Sequence, residues 1–168
     1  MKNNGIYAGI LAVLLIFGAN FATNADDFGD VMKFIEAGDK HFNNKQYDKA
    51  ITSYTTAISK LPTNAGGKID KVLSLIYAQR GTCYNIKEDY VKALTDYNNA
   101  IKLDSTNVDG YQGRYKIIVR MVIATAETAP NDAKEYVNLA LSDIEMVLKL
   151  NPKDADAKKF KEILSPYK

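Results

Sequence analysis

The stretch Ala93-Leu-Thr-Asp-Tyr97-Asn-Asn-Ala100 decides the fold, because its pattern recurs on both sides of it in the chain. The same pattern stands in Ala50-Ile-Thr-Ser-Tyr54-Thr-Thr-Ala57 and in Ala140-Leu-Ser-Asp-Ile144-Glu-Met-Val147. In each stretch a small residue is followed by a bulky residue four positions later and by an apolar residue seven positions later. Positions with this spacing share one face of an α-helix, so the pattern predicts three copies of one amphipathic helix.

A second repeated pattern precedes the first two copies. Phe34-Ile-Glu-Ala-Gly38-Asp-Lys-His41 aligns with Tyr77-Ala-Gln-Arg-Gly81-Thr-Cys-Tyr84, and each glycine stands twelve positions before a leading alanine. Glycine inside a helix costs about 1 kcal/mol relative to alanine. We therefore expect it where a second helix approaches closely. Pro62 and Pro152 each stand twelve positions after a leading alanine, where proline ends a helix.

This arrangement resembles the tetratricopeptide repeat, whose pattern is aromatic, glycine, aromatic, then alanine, aromatic, alanine and proline, with a period of 34 residues. The resemblance implies an all-α fold, a right-handed α-solenoid of about three helix-turn-helix hairpins. The helical domain is assigned to residues 26–168, with repeats at about 31–64, 74–107 and 108–154. The third copy departs from the pattern, because Tyr115 replaces the glycine and Ile144 replaces the aromatic residue.

Two further features concern the length and the end of the predicted array. The leading alanines are separated by 43 and 47 residues, so the second and third hairpins are predicted to be lengthened. The segment 154–164 is predicted to be a capping helix, because its apolar residues share one face: Ala157, Phe160, Ile163 and Leu164.

Residues 1–25 have the layout of a secretory signal peptide. Lys2 precedes an apolar run over residues 6–17, and small residues lead to a predicted cleavage site after Ala25. The run is shorter than the roughly 20 residues that a membrane-spanning helix needs. The mature protein is therefore expected to be secreted or periplasmic. In the alternative interpretation, residues 6–23 remain uncleaved and anchor the protein in a membrane.

The composition argues against nucleic-acid binding and against most catalytic chemistry. The formal net charge is +2, and no basic run is present to contact phosphates. His41 and Cys83 are the single histidine and the single cysteine, which excludes an intramolecular disulfide and a multi-cysteine metal site. No third orienting group accompanies them, as a catalytic cysteine would need. We expect no enzymatic activity, no cofactor, no metal and no small-molecule substrate.

The resemblance also implies a concave groove, lined by the first helix of each hairpin, that holds a peptide or a partner helix. The groove residues assigned on this basis are Asp39, Asn43, Thr82, Asn85, Gln112, Lys116 and Arg120. The last three recur every four residues and share a helix face. Two cations one turn apart suit a carboxylate or an acidic peptide. In the alternative interpretation, they pair with Asp109 or with neighbouring acidic residues.

Some members of the family hold a chaperone's C-terminal carboxylate in a clamp of Lys, Asn, Asn, Lys and Arg. The clamp is not expected in this chain, where the corresponding positions were aligned with Ile35, Asp39, Gln79, Asp109 and Gly113. The expected function is that of an adaptor or scaffold in a cell-envelope or secreted assembly, with a protein or peptide as partner. The alternatives are the membrane-anchored form and a structural homo-oligomer.

Overall fold

The computed structural model describes residues 25–62, 67–125 and 130–167. The predicted signal segment, up to residue 24, lies outside the described residues, and so does the predicted anchor at 6–23. Within the described segments, no helix is sufficiently long and apolar to cross a bilayer.

Seven α-helices follow one another in the described residues, and no strand occurs among them. The predicted all-α fold is confirmed there. The helices are α1 (Ala25–Asn43), α2 (Tyr47–Lys60), α3 (Gly67–Ile86), α4 (Tyr90–Leu103), α5 (Val108–Thr125), α6 (Pro130–Leu150) and α7 (Ala155–Leu164), and a 3-10 turn covers Ser165–Tyr167.

The helices pair as successive hairpins, α1 with α2, α3 with α4 and α5 with α6, and α7 packs against α6. The second helix of each of the first two hairpins also contacts the first helix of the next hairpin. In addition, α3 contacts α5 directly. The first helices of the second and third hairpins therefore lie side by side.

A glycine on the first helix and a tyrosine on the second bring the helices of the first two hairpins together. A Cβ atom at Gly38 would lie 2.5 Å from Cε1 of Tyr54, and one at Gly81 would lie 3.0 Å from Cε1 of Tyr97. Both tyrosines are buried. The predicted close approach at these glycines is confirmed.

The third hairpin has its tyrosine on the first helix, at the position that glycine holds in the other two hairpins. Tyr115 on α5 and Ile144 on α6 are both fully buried and belong to one core cluster. The ring of Tyr115 also packs against Phe160 of α7, with 5.7 Å between the ring centroids. The tyrosine thus lies on the first helix instead of the second, the core of the hairpin is still filled, and the last helix packs against it.

Buried polar contacts join α3, α4 and α5. The hydroxyl of Ser74 donates to the carbonyl oxygen of Ala100 at 2.7 Å, and Nδ2 of Asn107 donates to Oγ of Ser74 at 2.7 Å. Asn107 also accepts from the backbone N–H of Gly110 at 2.8 Å, which caps the start of α5. These contacts set the position of α5 relative to the second hairpin.

Candidate partner-binding surface

The first helices α1, α3 and α5 present equivalent positions to one surface. Asp39, Thr82 and Lys116 each stand one residue after the position that glycine holds in the first two hairpins. We call the surface around these three residues the inner face. In helical solenoids the curvature of the stack makes such a face concave.

On α1, the structure places Asp39 inside the hairpin. Its side chain is 3% exposed, and Oδ1 accepts a hydrogen bond of 2.5 Å from the hydroxyl of Tyr54. A carboxylate can be buried in this way when a hydroxyl group donates a hydrogen bond to it. Asp39 therefore offers little surface to a partner, whereas Asn43 at the end of α1 is exposed.

On α3, Thr82 and Asn85 are half-buried and lie beside the hydroxyl of Tyr97. Thr82 donates its own hydroxyl hydrogen to the carbonyl oxygen of Ala78 at 3.0 Å, so at 3.3 Å it accepts from Tyr97. Burial raises the pKa of Tyr97 to about 12, although its hydrogen bonding with Thr82 and Asn85 opposes this rise. The hydroxyl of Tyr97 is thus a neutral donor that is already engaged.

Asp109 at the start of α5 lies close enough to the same hydroxyl for its charge to act on it. Its side chain is exposed, yet desolvation by the surrounding protein raises its pKa, and its charge contributes to the raised pKa of Tyr97. Gly113, one helical turn later, lies against the ring of Tyr97 so closely that a Cβ atom would overlap it. Asp109 therefore lies on the inner face near Tyr97, on the surface where the family resemblance places it, although it was not among the residues predicted to bind a partner.

Gln112, Lys116 and Arg120 share one face of α5, but each is engaged within the chain. Nε2 of Gln112 donates to Asp154 at 2.5 Å, and Nζ of Lys116 lies 2.8 Å from Oδ2 of Asp156. Both acids stand at the start of α7. The pairing of the cation with a neighbouring acid, which was the alternative interpretation, is the arrangement found for Lys116.

Arg120 contacts the second hairpin instead of α7. Its Nη1 donates to the hydroxyl of Tyr90 at 3.0 Å, and its guanidinium lies 5.8 Å from the centroid of that ring. The side chain is exposed. The predicted basic strip is therefore a set of contacts to α4 and α7, and its binding role stays a prediction.

Gly113, one of the positions aligned with the clamp, lies against the ring of Tyr97 and has no side chain to offer a ligand. The absence of the clamp stays a prediction.

Sequence reasoning also missed two matching ion pairs between the helices of the second and third hairpins. Arg80 binds Asp96 through both carboxylate oxygens, and Arg114 binds Asp143 in the same way. Both acids are buried. The sequence contains a signal for these ion pairs, because both acids stand three positions after a leading alanine, where the first copy has Ser53.

The geometry offers little to nucleophilic or metal chemistry. Cys83 is fully buried, and burial raises the pKa of its thiol to about 12, so the reactive thiolate is suppressed. Nδ1 of His41 lies 2.8 Å from Oε1 of Gln46. In the part of the chain that the structure describes, no group of three or more His, Cys, Asp and Glu residues is placed to hold a metal ion.

Comparisons with known proteins agree with this architecture. Residues 74–107 match the family model of the tetratricopeptide repeat. Over 118 residues, 70% of the chain, the sequence is 34% identical to serine/threonine-protein phosphatase 5 of Rattus norvegicus, but this segment covers only 19% of that protein.

Solved structures share the fold. The TPR domain of Arabidopsis OM64 is similar with a TM-score of 0.65 and 21% identity, covering 84% of this chain and 99% of that one. The second TPR domain of human RPAP3, solved in complex with the HSP70 peptide SGPTIEEVD, is similar with a TM-score of 0.60 and 22% identity, covering 83% of this chain and 98% of that one. Residues 74–107 thus match one tetratricopeptide repeat, and the described helices share the fold of solved TPR domains.

Proposed function

We propose that the chain is an adaptor that binds a peptide or a helix of a partner protein on its inner face. The observation that carries this proposal is the presence, on one surface of α3 and α5, of polar groups that a ligand can reach. Thr82 and Asn85 are half-buried there, Asp109 is exposed, and the adjacent Ile86 is 43% exposed. A surface with an apolar side chain beside a few convergent polar groups is typical of a ligand site.

The comparisons support a peptide as the class of ligand. The similar RPAP3 domain was solved with a peptide bound, and tetratricopeptide solenoids present extended concave surfaces for such binding. The support concerns the fold and the kind of ligand, since the identity between the two chains is 22%.

We further propose that the mature protein acts outside the cytoplasm, within a cell-envelope or secreted assembly. The charged start, the apolar run and the small residues up to Ala25 support this proposal. The mass of the protein isolated from its own source tests it. A chain that begins at Asp26 is expected, whereas a chain that retains Met1 in the membrane fraction indicates the anchored form.

Site-specific photo-crosslinking tests the binding surface. A photoreactive residue replaces either Thr82 on the inner face or Thr95 on α4, in cells of the source organism. The two threonines are matched, because each donates its hydroxyl hydrogen to the carbonyl oxygen four residues earlier, at 3.0 and 2.9 Å. We expect one partner protein to crosslink from position 82 and not from position 95. Equal crosslinking from both positions, or crosslinks only to further copies of this chain, would contradict the proposal.

A further inference from the structure

The cations of the inner face are already neutralised or engaged within the chain. Lys116 is paired with Asp156 at 2.8 Å, and this pairing holds the pKa of Asp156 below its ordinary value. Arg120 donates to Tyr90, and Gln112 donates to Asp154. A ligand carboxylate would have to compete with acids that the chain itself supplies.

Two acceptors beside Tyr97 lack a donor. Among the described residues, no hydrogen bond or ion pair engages the carboxylate of Asp109, although it lies on the inner face. Oδ1 of Asn85 is buried and has no hydrogen-bond partner in the part of the chain that the structure describes. An unsatisfied buried acceptor costs stability, so a donor supplied from outside is favoured at this place.

The neighbouring groups cannot supply these donors. The hydroxyl hydrogen of Thr82 goes to Ala78, and that of Tyr97 goes to Thr82. Gly113, one helical turn after Asp109, has no side chain and lies against the Tyr97 ring, so it supplies no donor either. The region between α3 and α5 is therefore rich in acceptors and carries one unpaired negative charge.

We infer that this region binds a lysine or arginine side chain of the partner peptide, with Asp109 as its counter-ion. The inference rests on the proposed peptide-binding function. The cationic group donates to the carboxylate of Asp109 and, after rotation of the amide about its Cβ–Cγ bond, to Oδ1 of Asn85. Such charge-assisted hydrogen bonds are stronger than neutral ones and select a cation over an anion. Ile86 offers an apolar contact for the residue next to the cation.

Two arrays of capped heptapeptides test the inference on the full-length protein. One array has lysine at the central position and the other has glutamate, with the remaining positions drawn from the same mixture. We expect binding mainly to the lysine array. For the best lysine peptide, Asp109→Asn should weaken binding by about tenfold, the loss of one charge-assisted hydrogen bond. Asp109→Lys should shift the preference to the glutamate array.

Glu145→Gln is the control, because Glu145 is an exposed carboxylate on α6, the second helix of its hairpin, where its ion pair is with Lys161 of α7. It should leave peptide binding unchanged. Asn85→Asp provides a second test that adds a charge beside Asp109, and it should tighten binding of the lysine peptide. This variant decides the question even if Asp109→Asn changes the fold, which thermal melting would reveal.

The outcomes separate this inference from the proposed function. Preference for the glutamate array, or no effect of Asp109→Asn and Asn85→Asp on peptide binding, would overturn the inference. If a partner still crosslinks from position 82, the proposed function survives that result. Absence of binding to both arrays, together with absence of crosslinking from position 82, would overturn both.

Discussion

Arg80 on α3 donates two hydrogen bonds to the buried carboxylate of Asp96 on α4, from Nε and from Nη2, each at 2.8 Å. Its third donation, from Nη1 to Oγ1 of Thr55 at 2.9 Å, reaches the second helix of the preceding hairpin. Arg114 repeats the arrangement one hairpin later with Asp143. Each arginine thus ties the two helices of its own hairpin together and links that hairpin to the previous one.

Removal of this carboxylate should be costly. Asp96→Ala leaves the guanidinium of Arg80 largely buried without its counter-ion, and loss of one partner from a buried pair costs about 3–5 kcal/mol. The free energy of unfolding from urea titration measures the effect. Asp48→Ala is the control, since that aspartate is exposed and should cost less than about 1 kcal/mol. Equal urea midpoints for the two variants would show that the buried pair contributes nothing.

The close contact of Gly113 with Tyr97 gives a second prediction. Gly113→Ala places a Cβ atom inside the Tyr97 ring, so the ring or the helix must move, at a cost of about 1–3 kcal/mol. Gly29→Ala in α1 is the matched control, because no atom of the described segments lies within 4 Å of its Cβ position. There alanine should stabilise the protein by about 0.5–1 kcal/mol. Thermal unfolding should therefore shift in opposite directions, and shifts in the same direction would show that the space at Gly113 is open.

Asp109 gives a prediction on pH. Desolvation raises its pKa above the ordinary value of 3.8, so the native state binds this proton more tightly than the unfolded state does. The contribution of Asp109 to the free energy of unfolding therefore falls as the pH rises from the ordinary pKa through the raised pKa. Asp109→Asn should be more stable than the natural protein at pH 7, and this advantage should disappear at pH 3, where the aspartate is protonated in both states. An advantage of the same size at both pH values would exclude this cause.

A carboxylate that lowers stability at neutral pH is the kind of residue that binding sites retain. Natural proteins often keep such costs where function needs them. Asp109→Asn should thus raise stability while it weakens binding of a cationic peptide. Opposite effects of one substitution on folding and on binding distinguish a ligand residue from a residue of the scaffold.

Cys83 should be unreactive in the folded protein. The thiol is fully buried, and burial raises its pKa to about 12, so the thiolate that alkylating reagents attack is scarce at pH 8. Mass spectrometry after treatment with iodoacetamide should show no modification in buffer and complete modification in denaturant. Rapid, complete alkylation without denaturant would mean that the thiol is accessible and would reopen the case for a role in chemistry.

The helices and their pairing were accessible to sequence reasoning because they depend on local pattern. Each hairpin contact depends on one glycine and one tyrosine, Gly38 with Tyr54 and Gly81 with Tyr97. Such contacts recur with the repeat. Local pattern explains the packing of the third hairpin only in part. Tyr115 and Ile144 were recognised as departures from the pattern, but their joint burial follows from packing in three dimensions.

The binding surface was harder to predict, because its properties depend on contacts between hairpins. Lys116 is 40 residues from Asp156, and nothing local indicates that α7 brings them together. Asp39 was assigned to the groove from its position on α1, yet the hydroxyl of Tyr54 holds it inside. Asp109 was considered as a partner for the cations of α5 and as a clamp position, and no cation pairs with it among the described residues.

Chemical-shift mapping tests the central claim, that the inner face binds the partner, most directly. The full-length ¹⁵N-labelled protein is titrated with the best lysine peptide, and the changes in amide shift are compared between the first and second helices of the hairpins. The account predicts the largest changes at Thr82, Asn85 and Asp109, with small changes at Thr95 on α4. Largest changes on the exposed sides of α2 and α4, with the inner face unchanged, would contradict it.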